Sequence, residues 1–299
     1  MPIKNKILCT ESSLNANEEM FGTATRADIW LLVEYRGHWS GSAFKDSRIP
    51  KKVKSHIQKE LKSISSSRLQ LIKKHDNSDD YLTLFIAVST EKSPRLYKIK
   101  FKDYEELLSI KLKKILKSKD HLSDEKIYAI CTNGEYDTCC GKFGMPVYLD
   151  VAKGPNGRQI WEVNHIGGHR FASTFVCLPH GLIYGRVTEG QAAEGIIKEY
   201  EDGEINIAHY RGRSCYEPFV QAAEFYLRLE TGISEITEVS LKSVKKGDKK
   251  SNIKFETKSD EMIHKIKIRQ QKNAVKVIKS CGDKNSYIPQ FKLIDYSKA

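Results

Sequence analysis

Two sulfur donors followed by two imidazoles are the makings of a metal site, and residues 131 to 169 carry such a set: Cys131, Cys139 and Cys140, then His165 and His169 around Ile166-Gly167-Gly168. Tetrahedral zinc sites usually draw their first ligand pair from a tight C-x2-4-C knuckle. Here eight residues separate Cys131 from Cys140, a loop wide enough for a larger object. An iron–sulfur cluster is such an object, because each ligand pair grips a different iron. Cys139 and Cys140 are neighbours, so their side chains diverge, and a disulfide between them would be strained. Cys140 is the preferred ligand, because Gly141 follows it and frees the chain to turn; Cys139 is the reserve.

The histidines have their own geometry. Residues four apart share a helix face, but two consecutive glycines oppose a stable helical turn. The segment reads instead as a strand, QIWEVN, opening into a Gly-Gly turn. Glycine reaches positive φ and lets the backbone crowd a ligand, so both rings can be steered onto one iron. The competing reading, a histidine merely hydrogen-bonded in a loop, accounts for one His but not for a bracketing pair downstream of a cysteine loop.

The order C-x8-C, then His-x3-His with an internal Gly-Gly and a trailing Arg-Phe-Ala, resembles the sucrase/ferredoxin-like family of thioredoxin-like ferredoxins. The likeness extends into HRFASTFVCLPHGLIYGRV and YRGRSCYEPFVQAAE, and more loosely upstream into LLVEYRGHW and DSRIPKKV. It covers roughly residues 9 to 230 and leaves the last seventy or so outside. The resemblance implies a [2Fe–2S] cluster with Cys131 and Cys140 on one iron and His165 and His169 on the other. The chain keeps all four positions.

Composition bounds the rest. At 299 residues, with 39% hydrophobic and 29% charged residues, the chain suits one large or two ordinary soluble domains. No stretch approaches the roughly 18 consecutive apolar residues of a membrane span, and the first residues lack the apolar run of a secretory signal. Seven cysteines without a regular framework point to reduced thiols and a cytoplasmic location. Of the formal charge of +12, residues 233–299 hold most, with sixteen Lys and Arg against eight Asp and Glu. Beyond a solvated lysine-rich surface, this basicity implies steering toward an acidic redox partner. Sparse aromatics in the tail argue against nucleic acid held by base stacking.

The elements that must position the site follow from periodicity. ADIWLLVEY reads as a strand, SRIPKKVKSHIQKELKSI as a helix with Val53, Ile57 and Leu61 on one stripe, SRLQLIKK, YLTLFIAVS and RLYKIKF as strands, and KDYEELLSIKLKKILK as a helix. The second half repeats this order: KIYAICT, a helix within CCGKFGMPVYLDVAK, RQIWEVN, a hairpin of STFVCLP and LIYGRVT, and the helix GQAAEGIIKEYED. The expected fold class is α/β (α+β): two tandem thioredoxin-like β-α-β-β-β-α units plus a small C-terminal antiparallel β appendage. The corresponding domains are residues 1–122 without cluster ligands, 123–232 with them, and a basic β-rich extension over 233–299. A single mixed sheet is the alternative. Within 205–232 a short strand precedes a helix whose buried face is expected to carry Phe219, Ala223, Tyr226 and Leu227. Cys177 reads as core, Cys215 as a buried thiol beside a helix start, and Cys281 as a bystander at a strand end. Arg170, Arg186, Tyr210 and Arg213 are candidates to surround the cluster.

The expected function is electron transfer or redox sensing rather than catalysis, with the [2Fe–2S] cluster as cofactor. Two alternatives stand beside it: a structural Cys2His2 zinc module, and a thioredoxin-like thiol oxidoreductase, which the absence of C-x-x-C disfavours.

Overall fold

The computed structural model describes residues 7–75, 79–155 and 157–299. The chain enters through a short helix, Cys9–Asn15 (α1), where the sequence suggested only a polar arm. The run IWLLVE forms Ile29–Glu34 (β1), with every residue buried, as a strand covered on both faces requires. Helices Ala43–Asp46 (α2) and Lys51–Lys62 (α3) follow. Val53 and Ile57 of α3 are buried, and Leu61 is partly so. Strands Ser67–Lys73 (β2), Leu82–Val88 (β3) and Arg95–Phe101 (β4) complete the first half, with β1 parallel to β2 and antiparallel to β3, and β3 antiparallel to β4.

The expected helix over KDYEELLSIKLKKILK is broken. It resolves into a 3-10 turn, Tyr104–Ser109, and a single α turn, Leu112–Ile115 (α4). The break has tertiary causes: the Leu112 N–H donates to Glu60 at 2.8 Å, and the Ile110 carbonyl pairs with the His56 ring at 2.8 Å. Both partners lie on α3, and these bonds replace intrahelical ones.

A two-residue strand, Leu122–Ser123 (β5), edges β4. Then Ile127–Cys131 (β6), Thr138–Val151 (α5), Gln159–Val163 (β7), Phe175–Leu178 (β8), Leu182–Tyr184 (β9), Gln191–Glu201 (α6), Tyr210–Arg213 (β10) and Pro218–Thr231 (α7) form the second half. Here β6 is parallel to β7 and antiparallel to β8, and β8 is antiparallel to β9, the pairing pattern of β1 to β4. The two patterns are fused in one mixed sheet of ten strands, ordered β10-β9-β8-β6-β7-β2-β1-β3-β4-β5. At the seam, β2 meets β7 antiparallel through Ile72↔Val163 and Lys73↔Glu162. The Asn164 side chain adds an acceptor for the Leu71 N–H at 2.8 Å, and Phe85 packs edge-on against Trp161 at 5.6 Å.

Alternation along the strands sorts side chains between faces. Trp30 and Leu32 of β1 share one core with Ile127, Ala129 and Cys131 of β6. Ile29, Leu31 and Val33 pack into a second core with α3, and Tyr128 and Ile130 into a third with α5 and α6. Cys131 therefore faces the layer common to both halves.

The tail is a four-stranded antiparallel meander: Val239–Lys246 (β11), Lys250–Thr257 (β12), Ile263–Ile278 (β13) and Asn285–Lys298 (β14). Strand β13 is long and bulged, and its register against β14 shifts between Gln271 and Val275. The sheet's inner face, Ile253, Phe255, Ile266, Ile268 and Phe291, packs on α7 through Val220, Ala222, Ala223 and Leu227. Phe219 and Tyr226, expected on that buried face, are only partly covered. Among the described residues no helix is long and apolar enough to cross a membrane.

Candidate metal centre

Cys131 ends β6, buried to 1% exposure. The chain then loops to Asp137, the N-cap of α5, whose carboxylate accepts the Cys139 N–H at 2.9 Å. This cap sets the first helical turn, in which consecutive residues point about 100° apart. Cys139 and Cys140 accordingly face different neighbours, and Cys140 turns back toward the end of β6. One turn on, Gly144 lies against the Cys131 carbonyl, and any Cβ there would overlap it. The glycine is what lets the helix close onto the strand.

The histidines follow β7. Gly167 and Gly168 have φ of +103° and +79°, the Gly-Gly turn the sequence suggests. Two contacts hold this turn from outside, and a third anchors the arginine that makes one of them. The Thr25 hydroxyl donates to the Ile166 carbonyl at 2.6 Å, and the Arg211 guanidinium donates to the Gly167 carbonyl at 2.9 Å and the Thr23 carbonyl at 2.6 Å. Arg211 is fully buried, and burial pulls its pKa down to about 9. A Cβ at Gly168 would run into that guanidinium. Gly168→Ala is therefore expected to combine a left-handed backbone penalty with a steric one, lowering stability by about 1–3 kcal/mol. Urea denaturation together with bound-metal content would show the loss; an unchanged midpoint and full metal content would contradict it.

The donor atoms of Cys131, Cys140 and His165 lie within 4.8 Å of one another. His165 Nδ1 is buried with no hydrogen-bond partner, and its ring stacks on Tyr136 at 3.8 Å. An orphaned buried nitrogen costs roughly 1–3 kcal/mol unless something accepts its lone pair. His169 stands beside this group but outside it. Its ring centroid is 5.7 Å from that of His165, and its Nδ1 pairs with Asp137 Oδ2 at 3.1 Å. Of the four residues picked from the sequence, three converge and the fourth adjoins them through Asp137.

The electrostatics match ligation. A hydrogen bond from the Cys140 thiol, opposed by burial and helped by His165, holds Cys131 well below the usual thiol range, and the same bond pushes Cys140 up. Burial lowers the His169 pKa against the pull of Asp137, so the ring favours its neutral, ligating form.

A second group lies behind the first. Cys9 of α1, Cys139 of α5 and Cys281 beyond β13 converge with Asp137, their donor atoms within 4.8 Å of one another. The sulfurs stand 3.4 Å (Cys9 to Cys139), 3.4 Å (Cys139 to Cys281) and 3.6 Å (Cys281 to Cys9) apart. Cys281, read from sequence as a bystander, is a member. Nothing in local spacing links Cys9 to Cys281, which are 272 residues apart.

The polar groups expected around the cluster are engaged elsewhere. Arg170 pairs with Glu18 at 2.8 Å, Arg186 donates to the Glu18 carbonyl, and Tyr210 and Arg213 bond to Glu224. Arg211, which the sequence did not single out, is the one that supports the histidine turn. Cys177 is buried in β8, as expected, and burial raises the Cys215 pKa to about 12.

The model of the sucrase/ferredoxin-like family matches residues 20–212. That span includes Cys131, Cys140, His165 and His169 and leaves out Cys9, Cys281 and the tail sheet. No curated protein and no solved structure gives a significant match to the chain.

Proposed function

We propose, given that the chain belongs to the sucrase/ferredoxin-like family, that it is an electron-transfer or redox-sensing protein holding a [2Fe–2S] cluster on Cys131, Cys140, His165 and His169. The supporting observation is the convergence of two sulfurs and a ring nitrogen of His165 at one point, in a residue whose buried Nδ1 has no hydrogen-bond partner. When bound there, such a cluster takes up and returns a single electron. Two thiolates and two neutral imidazoles bring two negative charges instead of four. An added electron is repelled less, so the potential sits above that of an all-cysteine site. Asp137 orients His169: accepting a hydrogen bond from the Nδ1–H leaves Nε2 as the ring's ligating atom. Lysines on the outer face of the tail sheet, among them Lys245, Lys254 and Lys265, give an acidic redox partner a surface to approach.

Anaerobic purification with iron and acid-labile sulfide analysis, plus an EPR spectrum of the reduced form, tests this reading. About two irons and two sulfides per chain support it. The close donor set also suits one tetrahedral zinc ion, and zinc without sulfide would establish that second reading instead.

The potential is expected to depend on pH. Reduction adds negative charge beside the rings, so the outer ring nitrogen binds its proton more tightly in the reduced state. The potential then falls as pH rises, approaching about 59 mV per unit for one electron and one proton. Voltammetry from mildly acidic to alkaline pH measures it, and a flat potential would exclude ring-proton coupling.

A further inference from the structure

We propose that Cys9, Cys139 and Cys281, with Asp137 at the fourth corner, form a second, structural site for one tetrahedral thiophilic cation of the Zn(II) class. The geometry of the sulfurs separates this from a disulfide. A disulfide brings two sulfurs to about 2.05 Å and leaves the third out. Here the three edges are nearly equal, at 3.4, 3.4 and 3.6 Å, and no pair is favoured. A tetrahedral ion with metal–sulfur bonds of about 2.3 Å sets its ligands about 3.8 Å apart. The observed triangle is a few tenths of an ångström tighter, as expected of thiols in mutual contact.

The fourth corner is prepared. The Asp137 side chain is fully buried, and its Oδ1 lies 3.5 Å from the Cys9 sulfur. The Cys281 N–H and the Ser280 hydroxyl donate to Oδ2 at 2.8 Å each, fixing the carboxylate, while the Cys9 N–H points at the Cys281 sulfur at 3.5 Å. Such outer bonds orient ligands and stabilise thiolate charge. Three thiolates and one carboxylate select a soft or borderline ion such as zinc over calcium or magnesium. Cys9 and Cys139 are wholly buried and Cys281 is half-buried, which leaves one side for entry. On binding, the thiols release their protons to solvent.

The site would join three remote segments: α1, the start of α5 and the turn after β13. Ser12 Oγ already accepts the Ile278 N–H at 2.9 Å across this contact. Cys9 and Cys281 lie outside the residues that the family model matches.

The test uses the full-length protein, purified anaerobically and analysed for zinc, iron and sulfide. About one zinc per chain is expected beside the iron. Cys9→Ser and Cys281→Ser should each cut zinc retention against a chelator at least tenfold and leave iron and sulfide in place. Cys131→Ser should do the reverse, losing iron and keeping zinc. If the first site itself holds zinc, the count should fall from about two to about one in Cys281→Ser, so the two readings fail separately. Should the variants misfold, Co(II) added to wild-type protein replaces them, with thiolate charge-transfer and tetrahedral d–d bands expected. Wild-type protein that takes up neither zinc nor Co(II) beyond the first site, or a disulfide mapped between two of the three cysteines, would overturn the proposal.

Discussion

Replacing Cys131 or Cys140 by serine is expected to strip the protein of essentially all its iron and colour, whereas Cys139→Ser keeps both. Cys131 and Cys140 are buried in the common core, with His165 as their neighbour. A serine hydroxyl does not ionise at neutral pH, and it offers a hard, shorter donor where a thiolate is needed. Cys139 is the internal control: it shares the helical turn, the cap and the burial of Cys140, yet its sulfur faces Cys9 and Cys281. Iron, sulfide and the visible spectrum read the outcome. Bleaching by Cys139→Ser with Cys140→Ser still coloured would reverse the assignment between these neighbours.

The second large effect concerns stability. Glu224 on α7 is fully buried and accepts from Arg213 at 2.8 Å, Arg228 at 3.1 Å and the Tyr210 hydroxyl at 2.9 Å. Both arginines are 2% exposed. Glu224→Ala leaves two buried guanidinium groups without their counter-charge, and losing one partner of such a set costs about 3–5 kcal/mol. The pH dependence follows the same charges. Burial raises the Glu224 pKa, but Arg213 and Arg228 outweigh it and the net shift is downward. Its stabilising contribution is therefore full above the unfolded glutamate value of about 4.3 and is lost as pH falls through the depressed folded value. Denaturant unfolding of both proteins at neutral pH measures the difference, and a change under about 1 kcal/mol would show that water or rearrangement compensates the arginines.

Much of this architecture was legible because its signals are local. Cys131, Cys140, His165 and the Gly-Gly turn are read from spacing within one stretch, and the repeated strand order from alternation. The preference for Cys140 over Cys139 rested on Gly141, but the structure gives different causes: the Asp137 cap and the close approach at Gly144. What stayed hidden depends on distant contacts. The 102–117 helix fails because Glu60 and His56 claim its backbone. Strand β11, bulged between Leu241 and Ser243, lacks clean alternation. Arg211 looks like any other arginine until the fold sets it behind Gly168. Cys9 and Cys281 carry no spacing signal, since only the packing of α1 against the β13–β14 hairpin brings them together.

The short join between β2 and β7 also has a mechanical meaning. Two registered residue pairs and the Asn164 contacts hold strand to strand there, a short join in the interior of a ten-stranded plate. One buried core runs across that line, with Trp30, Leu32 and Ile72 on one side and Ile127, Trp161 and Val163 on the other, so packing as well as the ladder ties the halves together, and the residue immediately past Asn164 is His165.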